Sequence, residues 1–255
     1  MAVHRSAAQG FAQGASAYAR GRPGYPPEIV DWLRRAVGLG EGTTAIDLGA
    51  GTGKFTARMA ETGAAVVAIE PVAAMRDEFA RATPGIAVLA GSAESMPVAD
   101  ASVDAVLCAQ TFHWFANPQA LTEIRRVLKP GGRLGLVWNV RDESVGWVAE
   151  LTGIMAPYQR DTPRQHDGAW RQLFPAEGFS PLDEQWFAHH ATGSPDAVIL
   201  DRILSVSFIA ALPAAEQAVV AERLRDLIAS RPELAGRDAV MFPYKAIALT
   251  CRKLS

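Results

Sequence analysis

The chain has 255 residues, 49% hydrophobic and 20% charged, with a formal net charge of -2. This is the balance of a chain that buries a core, and without a Lys/Arg-rich block it lacks the electrostatic footprint of a nucleic-acid binder. No apolar run approaches a membrane span, and Met1 to Arg20 lack the apolar centre of a signal peptide, so a cytoplasmic protein without membrane partners is expected.

Residues 1 to 27 form an Ala/Gly/Ser-rich stretch punctuated by Phe11, Tyr18, Arg20, Arg22 and Tyr25 and ending in Arg22-Pro23-Gly24-Tyr25-Pro26-Pro27. Spaced aromatics among small residues suit either a segment that orders against something else or a frayed terminus. The prolines start a helix near Glu28, which runs to Val37 with Ile29, Val30, Leu33 and Val37 on one face.

Ala45-Ile46-Asp47-Leu48-Gly49-Ala50-Gly51-Thr52-Gly53-Lys54 reads as an apolar strand carrying an acid, a glycine-rich turn and the start of a helix reaching about Thr62. Three alternate glycines allow a sharp turn and leave no side chains above it, so a ligand can lie on the main chain. A dinucleotide fold requires Gly-x-Gly-x-x-Gly, but Lys54 occupies the third glycine position, and a phosphate loop would need a Gly-Lys-Ser/Thr ending. Asp47 would repel a pyrophosphate and attract a cationic amino-acid ligand.

Ala65 to Glu70 is a second strand, apolar throughout and ending in an acid. A carboxylate roughly 20 residues beyond the glycine turn is where a ribose diol is held, which with Asp47 nearby is favoured for Glu70 over a merely solvated strand end. Pro71 opens the next helix, where Met75 suits either an adenine face or ordinary packing. A third strand, Ile86 to Leu89, leads into Gly91-Ser92-Ala93-Glu94, and a fourth, Val103 to Ala109, ends in Gln110-Thr111-Phe112-His113-Trp114-Phe115. The carboxyl ends of parallel strands face the ligand crevice, so His113 is a candidate general base. It could instead be structural, bonded to a backbone carbonyl.

A helix from Leu121 to Leu128, a Lys129-Pro130-Gly131-Gly132 stop signal and a fifth strand, Arg133 to Asn139, follow. Residues 141 to 180 mix Trp147, Tyr158, Trp170 and Phe174 with Arg141, Arg160, Arg164, Arg171 and His166. These arginines read more naturally as a solvated face than as a carboxylate grip. Leu182 to Thr192 is a sixth strand, and its His189-His190 pair lacks a third metal ligand nearby. Helical runs at roughly 196–211 and 214–230 precede a last strand, Phe242 to Arg252, and Cys108 and Cys251 fall in strand-like runs as reduced core residues.

The Asp47-x-Gly49-x-Gly51-x-Gly53 run, the aromatic and Arg-Pro-Gly-Tyr-Pro lead segment, and the helix, Lys-Pro-Gly-Gly turn and strand near residue 130 resemble the class I S-adenosylmethionine-dependent methyltransferases over about residues 11 to 140. Within them the lead segment and the His-Trp-Phe run are similar to the methyltransferase type 11, trans-aconitate methyltransferase-like small-molecule group. The resemblance implies a doubly wound Rossmann-like α/β fold of seven strands in the order 3-2-1-4-5-7-6, strand 7 antiparallel, with a small helical cap. One domain would span 1–255, divided into a lid at 1–27, a cofactor core at 28–140, a cap with the sixth strand at 141–230 and the last strand at 231–255.

The same resemblance implies methyl transfer from S-adenosyl-L-methionine, giving S-adenosyl-L-homocysteine, to an O-, C- or N-nucleophile, a carboxylate among them. Tyr18 and Arg22 would lie near the methionyl carboxylate. Asp47, Gly49, Ala50, Gly51, Thr52 and Gly53 would hold the methionine portion. Glu70 and Pro71 would meet the ribose, Met75, Ser92, Ala93 and Glu94 the adenine, and Gln110 and Thr111 the floor. Ser92 stands where the resembled family usually carries Asp. His113 is the expected catalytic residue, with Trp114, Asn139 and Tyr158 toward a small-molecule acceptor, no metal, and a monomer or homodimer. A nicotinamide-dependent oxidoreductase and a non-catalytic S-adenosylmethionine-binding protein remain open.

Overall fold

The buried apolar strands read above come together in one sheet. In the computed structural model, which describes residues 22–160 and 162–254, β1 (Thr44–Leu48), β2 (Ala65–Ile69), β3 (Ala87–Leu89), β4 (Val103–Ala109), β5 (Leu128–Arg141), β6 (Asp183–Gly193) and β7 (Val240–Arg252) lie in the order β3-β2-β1-β4-β5-β7-β6. The first five are parallel, and β7 inserts antiparallel between β5 and β6. This is the expected doubly wound order. The chain leaves β1 toward β2 and later returns on the other side of β1 as β4, which opens a crevice at the carboxyl ends of β1 and β4.

Side-chain alternation fills both faces. Ile46, Leu48, Val106, Cys108, Leu134, Leu136 and Trp138 enter one core with α4 (Pro118–Val127), whose Leu121, Ile124 and Val127 repeat at helical spacing. Ala45, Ala105, Leu107 and Val137 enter the opposite core, under α1 (Glu28–Trp32) and α2 (Lys54–Ala60). The helix expected from Glu28 to Val37 is present, its second half, Leu33–Val37, being a wider π turn. Between β2 and β3 runs α3 (Ala73–Ala82). Cys108 and Cys251 are buried free thiols.

A third core belongs to the cap. Trp147, Val148, Leu151 and Met155 of α5 (Gly146–Gln159) pack with Ile199, Ile203 and Phe208, with Val220, Leu224 and Leu227, and with Phe242 and Tyr244 of β7. No helix was expected over 146–159, since Gly146, Gly153 and Pro157 depress helix propensity. Burial of its apolar stripe outweighs that cost, and Pro157 sits in the last turn. The helical run expected at 196–211 is broken into a π turn (Asp196–Asp201), α6 (Arg202–Leu204) and α7 (Ser207–Ala210) before α8 (Ala214–Ser230). β5 begins five residues earlier than expected: the Lys129-Pro130-Gly131-Gly132 stretch is an irregularity within the strand, where the register to β4 shifts between Val103 and Ala105.

The tightest of the strand glycines is Gly135. A Cβ there would lie 2.4 Å from Leu107 Cδ1 and 3.1 Å from a Trp32 ring carbon. Gly135→Ala therefore overpacks the core under α1, at a cost of about 1–3 kcal/mol and a fall in melting temperature of roughly 3–10 °C, which a thermal melt against the wild type would read.

Candidate cofactor cradle and acceptor cavity

The glycine turn after β1 is held from below and from the side. Gly49 and Ala50 N–H both donate to Ile69 O of β2, at 2.7 and 3.2 Å. Thr111 Oγ1 donates to Leu48 O at 3.0 Å, and its methyl packs where a Cβ on Gly49 would stand, 2.9 Å away. Gly49, Gly51 and Gly53 all have positive φ, which explains the alternate glycines. A Cβ on Gly51 would meet nothing within 4 Å. The turn is thus open to a ligand on one side only.

Asp47 lies fully buried beneath this turn. Its Oδ2 accepts from Thr56 Oγ1 at 2.5 Å, while Oδ1 has no hydrogen-bond partner among the described residues. Burial, assisted by the Glu70 carboxylate and opposed by the Thr56 hydroxyl, lifts its pKa to about 7. A buried carboxylate with one free oxygen is chemically complete only when a donor or cation reaches it. Asp47, Gly49, Ala50, Gly51 and Thr52 line a cavity of about 50 Å3 together with Arg22, Lys54, Gln110, Thr111 and Arg202. That is room for an amino-acid headgroup, and the free carboxylate oxygen fits its ammonium.

The far side of the turn is braced by Glu70. Its Oε2 accepts from Gly51 N–H and its Oε1 from Val72 N–H, both at 2.9 Å. Sequence reasoning missed this bracing role, although an acid facing an N–H-rich turn is a signal for it. Glu70, Pro71, Met75, Ser92, Ala93 and Glu94 do not line the 50 Å3 cavity. Met75 and Ala93 are buried. Ser92 closes a small bridge with Ser95, and Glu94 accepts from Asn117 Nδ2 at 3.0 Å. Tyr18 lies outside the described residues.

A second, larger cavity of about 430 Å3 adjoins the first and shares Arg22, Gln110 and Arg202 with it. His113, Trp114 and Asn139 line it as expected. Gln110 closes β4 with a positive φ of 60°, a conformation that costs a non-glycine residue energy and recurs at functional sites. Its side chain donates to Asn139 O at 3.1 Å. Tyr158 does not line the cavity. Thr152 is the α5 residue that does, and six residues further on the helix has turned some 240° away, toward the cap core.

The structure corrects the general-base expectation for His113. Trp138 Nε1 donates to His113 Nδ1 at 3.1 Å. An indole N–H can only donate, so Nδ1 must present its lone pair and the neutral ring carries its proton on Nε2. Burial, reinforced by Arg164, Arg22 and His166, lowers the His113 pKa to about 3. The imidazole offers a hydrogen-bond donor and is a poor proton acceptor near neutral pH.

The arginines also need correction. Arg160 and Arg171 are exposed, the latter paired with Glu184, as a solvated face requires. Arg141 and Arg164 instead turn inward and line the larger cavity with Arg22 and Arg202. The backbone at Gly24 closes the crevice: its carbonyl accepts from Asn139 Nδ2 at 2.7 Å and lies 2.9 Å from His189 Nε2. Lys54 Nζ donates to Arg22 O, and Arg58 to Tyr25 O at 3.1 Å. His189 therefore serves as a strap anchor.

With this geometry the comparisons are specific. Residues 46–136, from β1 to the middle of β5, match the family described as a methyltransferase domain. An uncharacterised methyltransferase of Mycobacterium tuberculosis is 40% identical over 239 residues, covering 94% of this chain and 93% of the relative. The chain belongs to the class I S-adenosylmethionine-dependent methyltransferases. A methyltransferase-like protein of Schizosaccharomyces pombe is 38% identical over 92% of both chains. The same fold occurs in the solved structure of a candidate type II methyltransferase from Anaeromyxobacter dehalogenans, with a TM-score of 0.65 at 23% identity, over 91% of this chain and 97% of that one.

In this methyltransferase, Glu70→Ala removes the acceptor for two amides of the cradle. The cost should be on the order of 1–3 kcal/mol, a fall of roughly 2–10 °C in the melting temperature of the ligand-free protein. An unchanged melt would show that the turn stands without this brace.

Proposed function

We propose that this methyltransferase binds S-adenosylmethionine with its amino-acid end in the Asp47 cradle and methylates a small organic acceptor held in the 430 Å3 cavity. The observation that carries the reading is the junction: the cradle and the larger cavity meet at Arg22, Gln110 and Arg202. When bound, the cofactor supplies a methyl group already activated by its sulfonium charge. The chain's own residues then have to bind, orient and exclude water. Asp47 would receive the ammonium and Arg22 the carboxylate, with Glu70 holding both the turn and the ribose side. The Gly24 carbonyl ties the strap to β5 through Asn139 Nδ2 beside the junction, and Gln110, fixed through Asn139 O, sets its floor.

His113 would orient the acceptor through its Nε2–H and would not remove a proton from it. An acceptor that is already anionic needs no base. An aromatic wall of Trp114 beside His113, their rings 5.1 Å apart, gives the cavity one dry side. The expected partner is that small molecule, with neither nucleic acid nor membrane involved. Among the described residues no helix is long and apolar enough to cross a membrane.

The test is isothermal titration with S-adenosylhomocysteine, with a nicotinamide dinucleotide as control. Because Asp47 titrates near 7 in the free protein and an ammonium favours its charged form, binding at pH 6 should release close to one proton from it. Affinity should rise with pH up to about 7 and then level off. Asp47→Asn should lose the proton release and weaken binding roughly 10- to 100-fold. Absence of binding, or dinucleotide binding instead, would refute the cofactor assignment.

For His113 the discriminating pair is His113→Gln and His113→Ala. A glutamine keeps an N–H donor, so it should retain several-fold more turnover than alanine, and at saturating cofactor, where the titration of Asp47 no longer enters, the wild-type rate should show no inflection near pH 6 to 7. An inflection there that vanishes in both variants would restore the general-base role.

A further inference from the structure

The two edges of the sheet are built differently. β3 is three residues long, as an exposed edge strand usually is. β6, at the other edge, runs for eleven residues in unbroken register with β7. It contains no proline, lysine or bulge, the devices that commonly keep an edge from pairing with another chain. Every second residue of an antiparallel strand turns its N–H and C=O away from its neighbour. Among the described residues no backbone group bonds to that outer side of β6.

The side chains of β6 divide by face. Phe187 and Ala191 pack against the cores, and His189 anchors the strap. Trp186, Ala188, His190 and Thr192 alternate with them and are exposed. On that exposed face Met241 of β7 stands opposite Thr192. Trp186 and Met241, at 55% and 59%, are the most exposed large apolar side chains among the described residues. The indole is nevertheless held: its Nε1 donates to Glu184 Oε1 at 2.8 Å, and Glu184 is paired with Arg171. An apolar ring already fixed in water loses little entropy when a partner covers it.

We infer that β6 is a homodimer interface, pairing antiparallel with β6 of a second copy about a twofold axis that passes through Ala188 perpendicular to the sheet. Register and charge select this partner. Residues directly opposite one another point to the same face, so such an axis must pass through a residue, and Ala188 is the centre that leaves none of the eleven unpaired. Asp183 then meets the partner's Gly193, Glu184 its Thr192 and Trp186 its His190. No carboxylate faces a carboxylate. The imidazole lies against the indole, with Ala188 and Thr192 of the partner on the diagonals, and cross-strand pairs of this kind stabilise a sheet. Each edge consumes the other, so the assembly closes at two copies. Trp186 also lines the larger cavity, which places the interface beside it. The pairing follows from the sheet and goes beyond the methyl-transfer reading without depending on it.

Sedimentation equilibrium of the full-length protein at micromolar concentrations should give twice the chain mass of 27.2 kDa. Ala188→Lys sets two ammonium groups opposite each other at the axis and should weaken the dimer at least about 5-fold, with the circular dichroism of the folded chain unchanged. Ala188→Cys should cross-link two copies under a mild oxidant such as diamide, because directly opposite Cα atoms lie about 4.5–5.5 Å apart, within disulfide reach. His190→Cys should not, since its mate is displaced by about 13 Å along the strand. Cys108 and Cys251 are buried and stay out of the reaction. A protein that is monomeric at these concentrations overturns the inference. So does a dimer that survives Ala188→Lys and does not cross-link in Ala188→Cys, because its interface then lies elsewhere. Cross-linking of His190→Cys but not of Ala188→Cys overturns the register.

Discussion

Everything in the crevice is arranged around a carboxylate that the fold buries without completing it. Asp47 accepts one short hydrogen bond from Thr56, and its other oxygen has no partner among the described residues, under a turn of left-handed glycines. Raising its pKa from 3.8 to about 7 corresponds to roughly 4 kcal/mol against the charged form. A fold of ordinary stability, with about 5–15 kcal/mol in hand, carries such a debit only where a ligand removes it. The rest of the cradle then follows from keeping that carboxylate accessible. Glu70 cannot move away because it holds the Gly51 and Val72 amides, and Thr111 keeps Gly49 free of a side chain.

The larger cavity differs in how its charges are disposed. Among the described residues the cradle has one acid, Asp47, beside Arg22, Lys54 and Arg202, whereas the larger cavity adds Arg141 and Arg164 to the two arginines they share, and Gln110 lines both. A ligand with a cationic amino-acid head on one side and an anionic acceptor on the other would complete both halves at once. Neither half needs a titrating base for this. That agrees with a histidine whose Nδ1 is already occupied by an indole proton and whose pKa has been driven to about 3.

The sheet was legible from sequence because its signals are local and repeated. Apolar strands such as Ala65 to Ile69 read as buried on both faces wherever they occur, and the alternate glycines after Asp47 admit few conformations. The cap was less legible. Gly146, Gly153 and Pro157 argue against a helix until the apolar stripe from Trp147 to Met155 finds Phe242 and Tyr244, about ninety residues away in sequence. The arginines failed for the same reason. Arg141, Arg160, Arg164 and Arg171 have the same chemistry, and no periodicity sets two of them apart; only the placement of α5 and Phe208 turns Arg141 and Arg164 inward. His113 was found by position, but its role depends on which nitrogen meets Trp138, a contact between β5 and the turn after β4 that no spacing rule encodes.

The strap at Gly24 couples the two halves of the crevice physically. One carbonyl is held by Asn139 from β5 and lies against His189 of β6, while Lys54 from the helix after the glycine turn holds the carbonyl of Arg22 two residues earlier. Arg22, which faces both cavities, is thereby positioned by elements from the cradle and from the acceptor side together. The main chain that carries Arg22 is thus tied to both sides, and its side chain lines both cavities. Filling the cradle with a zwitterion changes the charge that Arg22 presents to the acceptor cavity, and an anion there changes the charge it presents to the cradle. Thermodynamic linkage requires the two effects to be equal. The shared arginine therefore makes binding of the two ligands cooperative in sign whenever the acceptor's charge is complementary to what the cradle's occupant leaves exposed. Under the proposed reading such coupling runs through Arg22, which lines both cavities, and needs no proton relay.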